Sequence, residues 1–117
     1  APFLWLGAVT IGSGIADLMN DPAFALSEKV VFDAVGSECA DDCISNLQNL
    51  AAVELARHNL MMQKMRFSPG YGNLSLNVQE IFFDLLDLPE LGISLTDSKI
   101  MQPEKSVTAF AAVLKMN

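Results

Sequence analysis

Arg66, Ser68, Pro69, Gly70 and Tyr71 stand together in the run RFSPGYG, an unusual piece of backbone for a small acidic chain. A guanidinium presents a planar fork of N–H donors that matches a carboxylate. A proline and two glycines within a few residues suit neither a helix nor a regular strand. They suit a backbone that must come close to something else. The same run also reads as a type II turn carrying a surface arginine. The residues alone leave both readings open.

The other candidates carry less. Cys39 and Cys43 lie four apart in SECADDCISNL, where a metal or redox site is one reading. However, Val31, Val35, Cys39, Cys43, Leu47 and Leu50 recur at steps of four and three, a single stripe on one helical face. That pattern predicts buried, reduced thiols, and with them a reducing, cytoplasmic setting. A disulfide between successive helical turns has poor geometry. His58 follows Arg57 and has no acid or nucleophile partner nearby in sequence, which reads as a surface or helix-end histidine. Gly12-Ser-Gly14 follows a strand and opens a helix, but Asp17 stands where a dinucleotide fingerprint needs its third glycine. A tight turn explains it. Met61, Met62 and Met65 read as core filler or a contact surface. Asp41, Asp42, Asp84, Asp87 and Asp97 fit solvated faces and turns. With no nucleophile motif, metal-ligand spacing or carboxylate pair, no catalytic residue and no metal ligand is assigned.

The elements that must position these residues follow from periodicity. Phe3 to Val9 reads as a strand apolar enough to be buried on both faces. A short helix spans about Gly14 to Met19. Ala25 to about Leu60 carries a long helical pattern, expected to break or kink near Gly36. MMQKMRF reads as a strand leading into the Pro-Gly turn. Val78 to Leu86 is an amphipathic helix with Ile81, Phe82, Leu85 and Leu86 inward. LGISLTDSKIM predicts a short strand and a loop, and KSVTAFAAVLK a closing strand. The class is α+β (mixed α/β): a twisted, mainly antiparallel sheet with helices, in one domain over 1–117.

Composition bounds the function. The 117 residues suffice for one modest core, and 51% hydrophobic residues indicate a globular chain. A net charge of −7 argues against phosphate-backbone binding, which rests on clustered Lys and Arg, and against docking on an anionic membrane surface. The longest apolar run, Ala1 to Gly12, is shorter than the roughly 20 residues of a membrane span. It starts directly in a strand, which leads to the expectation that the native domain extends upstream.

RFSPGYG, then NLSLNVQEIFFDLL, then LGISLTDSKIMQPEKSVTAF, resembles the C-terminal half of the activation domain of cobalamin-dependent methionine synthase. That family shows R-x-x-P-G-Y, here Arg66, Pro69, Gly70 and Tyr71, followed by a helix. A T-[ED]-S-x-x-M-x-P-x-x-S-V run comes next, here Thr96, Asp97, Ser98, Met101, Pro103, Ser106 and Val107. FLWLGAVTIGSGIADLMN and VVFDAVGSECADD are similar to segments of stand-alone homologues, so the likeness spans essentially the whole chain, with the family's N-terminal portion missing.

The resemblance implies S-adenosylmethionine binding and reactivation of a corrinoid cofactor. The cobalamin would sit on a partner corrinoid protein or module, and a flavodoxin-like or iron–sulfur reductant would supply an electron. The chain would then be a domain of a methyltransferase system in methionine biosynthesis rather than a free-standing enzyme. By the same resemblance Arg66 meets the ligand carboxylate, the main chain around Ser68 and Gly70 lines the groove, and Tyr71 packs on the ligand. Glu38 lines up with a further acid of the family. The family's glutamate six residues before the arginine is replaced by Leu60. A second reading is therefore a degenerate, non-catalytic relative that docks on a corrinoid protein or methyltransferase. A third is a structural subunit whose bare sheet edges are covered by another chain, including a homo-oligomer.

Overall fold

A computed structural model describes residues 3–116. Its centre is a three-stranded antiparallel sheet of β1 (Phe3–Thr10), β2 (Leu60–Met62) and β5 (Ser106–Lys115), in the order β1-β5-β2. β1 pairs with β5 over its whole length, from Phe3 opposite Val113 to Thr10 opposite Ser106. Both strands alternate in what they bury, as a period of two requires. Trp5, Val9, Val107 and Ala109 pack with Ile44 and Leu47, while Ala111 and Val113 pack with Met62, Ala51 and Leu55. Leu6, Ala8 and Phe110 point the other way, onto Phe82, Leu88 and Ile93.

Helices therefore cover both faces, and the fold is α+β. On one face lies α2 (Leu26–Ala56), preceded by the short α1 (Gly14–Met19). On the other lie α3 (Gln79–Leu85) and the 3₁₀ turn Leu88–Leu91. A two-stranded hairpin, β3 (Ser94–Leu95) with β4 (Met101–Gln102), adjoins them where the residues predict a strand and a loop. Thr96 makes the turn: its N–H donates to the Ile100 carbonyl, and its Oγ1 accepts from the Ile100 N–H.

α2 corrects two expectations. It runs unbroken for 31 residues, so Gly36 is not a kink. Glu28 accepts from the Ala25 N–H at 3.1 Å to close its first turn, and Phe24 meets Phe32 edge-on at 5.0 Å. It ends at Ala56, short of Leu60, because Asn59 takes a left-handed φ of 60° and turns the chain into β2. The buried residues of α2 are Gly36, Ala40, Ile44 and Gln48. The stripe of Val31, Val35, Cys39 and Cys43 is exposed instead. Both stripes step by four residues, so spacing could not separate them. The small residues decide the matter, because they let the helix axis approach the sheet. A Cβ at Gly36 would meet Ile15 Cγ1 at 3.1 Å and Lys105 Cε at 3.2 Å. Lys105 is anchored here, its Nζ donating to Asp33 Oδ1 at 2.7 Å and Ser37 Oγ at 2.9 Å.

Two outcomes are expected. Gly36→Val should destabilise the fold by about 1–3 kcal/mol, read as a lower urea midpoint at unchanged slope, because Ile15 and Lys105 have to move. Cys39 and Cys43 should both react with a thiol reagent in the native protein, giving two equivalents without denaturant; a core position would give none.

α3 is corrected in part. Phe82 is buried and Leu86 packs against its cluster, but Ile81 and Leu85 are exposed. The MMQKMRF strand shortens to Leu60–Met62, with one further bridge from Phe67 to Phe110. No helix among the described residues is long and apolar enough to cross a membrane.

Candidate functional site

The site lies where β5 runs out of partners. Gln63 donates to the Ala112 carbonyl at 2.8 Å, and Phe67 and Phe110 exchange main-chain hydrogen bonds at 2.9 and 2.8 Å. Even-numbered residues of β5 thus turn their main chain toward β2, as alternation in an antiparallel ladder requires. Beyond Phe67 the chain leaves the sheet. The main chain of Thr108 and Ser106 therefore faces an edge that no strand covers.

The chain leaves through a turn. Tyr71 N–H donates to the Ser68 carbonyl at 3.3 Å, with Pro69 and then Gly70 between them, and Gly70 has φ of 90°. This is a type II turn, which demands φ > 0 at its third position. A Cβ there would also fall 2.6 Å from Leu76 Cδ2. The type II turn is therefore present, and Arg66, Ser68, Pro69 and Tyr71 in and beside it border the open edge of β5.

Arg66, Ser68, Pro69 and Tyr71 line a cavity of about 430 Å³ with Ser106, Val107 and Thr108 of β5. Asp41 of α2, Gln79 of α3 and Met101 of β4 complete it, so both helical layers and the hairpin contribute. The volume falls within the range of small-molecule sites. A smaller cavity of about 250 Å³ shares Asp41, Tyr71, Ser106 and Val107 and reaches Ser37, Glu104 and Lys105.

Arg66 is held in place from α2. Its Nη1 donates to Gln48 Oε1 at 3.2 Å, and Gln48 Nε2 donates to the carbonyls of Gln63 and Lys64 at 3.2 and 3.3 Å. One buried glutamine thereby fixes both the arginine and the strand that delivers it. Only one of the five guanidinium N–H groups is used, and Arg66 forms no salt bridge among the described residues. Its charge is open to an anion in the cavity.

The residues singled out in sequence fall as follows. Arg66, Ser68 and Tyr71 share the cavity, and Gly70 shapes the turn between them. Glu38 is exposed and lines neither cavity. At roughly 100° per residue it lies about 200° round the helix from the buried Gly36. The α2 acid that lines the cavity is Asp41, on the flank of the buried strip. Leu60 belongs to β2 and packs on the cluster of Met62, Ala111 and Val113. Asp41 is exposed, as sequence reasoning has it, yet it borders the cavity, whereas Gln48 and Gln79 were passed over. Their signal was position: Gln48 continues the four-residue strip of Gly36, Ala40 and Ile44.

Elsewhere, Gly12 adopts φ of 79° in an open turn, its N–H donating to Thr10 Oγ1. His58 is exposed at the end of α2 beside Glu54. No three His, Cys, Asp or Glu residues are grouped to hold a metal ion among the described residues. Compared with known proteins, the chain matches no family model and no curated protein.

Proposed function

We propose that this chain is a binding module of the methionine synthase activation type, whose groove holds S-adenosylmethionine for a corrinoid protein. The observation that carries the reading is the pairing of Arg66 with Asp41 in one cavity of about 430 Å³. A guanidinium and a carboxylate in one groove complement the carboxylate and ammonium of an α-amino acid. The sequence resemblance, centred on Arg66, Pro69, Gly70 and Tyr71, points to the same ligand.

Arg66 and Asp41 would answer the two charges at the amino-acid end of the ligand. Arg66, braced by Gln48, would take the carboxylate, and Asp41 would take the ammonium group that Leu60 cannot serve. The Ser68–Tyr71 turn would lie along the ligand, with Tyr71 as an exposed flap. When bound, S-adenosylmethionine would supply an electrophilic methyl group to a corrinoid on another module, once the corrinoid cobalt had taken one electron from a flavodoxin-like or iron–sulfur partner, and would leave as S-adenosylhomocysteine. The chain's own part is positioning, with no acid–base step. The setting this implies is cytoplasmic, with the module acting inside a cobalamin-dependent methyltransferase system.

A degenerate relative that docks on a corrinoid protein or methyltransferase without binding the ligand is the second reading. It rests on Leu60, which offers no carboxylate where the resembled family carries one. Calorimetric titration of S-adenosylmethionine separates the two: saturable binding in the micromolar range supports the first, and no heat at millimolar ligand sinks it.

A further inference from the structure

Two buried glutamines stand at the cavity, and their hydrogen bonds differ. Gln48 is 6% exposed and fully engaged: its Oε1 accepts from Arg66, and its Nε2 donates to two carbonyls. Gln79 is 4% exposed, and its Oε1 accepts from Thr108 Oγ1 at 2.7 Å. Its Nε2, with two N–H donors, has no partner among the described residues. That atom is not sealed away, since no fully buried side-chain nitrogen or oxygen among the described residues lacks a partner. The space that Gln79 lines is the cavity.

In this structure the Thr108 hydroxyl meets the oxygen of the Gln79 amide. With the carbonyl oxygen held by the hydroxyl, the group left for the cavity is a pure donor, and it carries no charge. The charged groups of the cavity, Arg66 and Asp41, answer the two charges of an amino acid. Gln79 shares the cavity with Met101, an apolar side chain suited to the flat face of a ring.

We propose that Gln79 is a specificity-determining residue, donating an Nε2–H to an acceptor on the uncharged nucleoside half of the ligand, a purine ring nitrogen or a ribose hydroxyl. This rests on the reading of the groove as an S-adenosylmethionine site and extends it to the recognition of the nucleoside. A donor held in a nearly buried position is poorly served by water when a ligand fills the groove, so a ligand lacking the acceptor is penalised.

The test measures affinities of the wild type, Gln79→Glu and Gln79→Met for S-adenosylmethionine, and for adenosine and methionine as competitors. Gln79→Glu turns the donor into an anionic acceptor; Gln79→Met removes the amide at similar volume and guards against a failure to fold. Thermal unfolding checks each variant. Both variants are expected to lose about tenfold or more in affinity for S-adenosylmethionine and adenosine, with methionine unchanged. A purely structural role would weaken all three alike, so the adenosine-to-methionine ratio is the diagnostic reading. Unchanged S-adenosylmethionine binding in folded variants overturns the assignment while leaving the site intact. A selective loss of methionine overturns it too, moving Gln79 to the charged end. A wild type that binds neither S-adenosylmethionine nor adenosine overturns both this assignment and the proposed site.

Discussion

Replacing Arg66 with alanine is expected to lower affinity for S-adenosylmethionine by about ten- to a hundredfold, equivalent to roughly 1.5–3 kcal/mol for a charge-assisted hydrogen bond. The guanidinium is poised for this: Gln48 holds it through Nη1, and it forms no salt bridge among the described residues. The substitution also removes that one structural hydrogen bond, a loss of about 0.5–1.5 kcal/mol in folding stability. The two effects are separable. Gln48→Leu deletes the brace but keeps the charge, so it should destabilise the segment after β2 and weaken binding less than Arg66→Ala does. Arg66→Lys keeps the charge without the fork, and intermediate affinity would show that the paired geometry matters. Calorimetry supplies the affinities and urea unfolding the stabilities.

The second large effect lies in the core beneath the groove. Phe82→Ala should lower stability by about 3–5 kcal/mol, a large share of the roughly 5–15 kcal/mol typical of a domain. Phe82 is 1% exposed and sits among Leu88, Ile93, Leu6 and Ala8. Its ring also lies against Phe110, with centroids 6.5 Å apart, and Phe110 stacks on Phe67 at 5.4 Å. Phe67 is the neighbour of Arg66 and the last residue of its segment paired to β5. A cavity at Phe82 would loosen that stack from below. Urea unfolding should therefore show a much lower midpoint at unchanged slope, and ligand affinity should fall with it. Ile81→Ala, one residue earlier but exposed, should do neither.

These two residues also mark what could be read from the chain. The strand Ser106–Lys115 was legible because it alternates well enough over its length, and β1 because of its continuous apolar run, although Phe3 and Leu4 at its start stay exposed rather than buried. The inward side of α2 was not legible. Its exposed stripe opens with Val31 and Val35, whereas the buried strip opens with Gly36 and Ala40, whose merit is small size at a close approach, and reaches a large apolar residue only at Ile44. Misplacing that face put Cys39 and Cys43 in the core. The turn beside Arg66 was legible, since Pro69 followed by Gly70 suits a type II turn. Gln48 and Gln79 were not, because a polar side chain becomes informative only when burial forces it to find partners. The β3–β4 hairpin was half visible: two paired residues a side leave little periodicity to detect.

The most direct test of the central claim is an amide-resolved NMR titration of the chain with S-adenosylmethionine. The account predicts saturable shifts concentrated at Arg66, Ser68, Gly70 and Tyr71, at Asp41 on α2, and at Ser106 to Thr108 on the open edge of β5. The exposed stripe of Val31 and Val35 should stay unmoved. Shifts confined to another surface, or none at millimolar ligand, would contradict it.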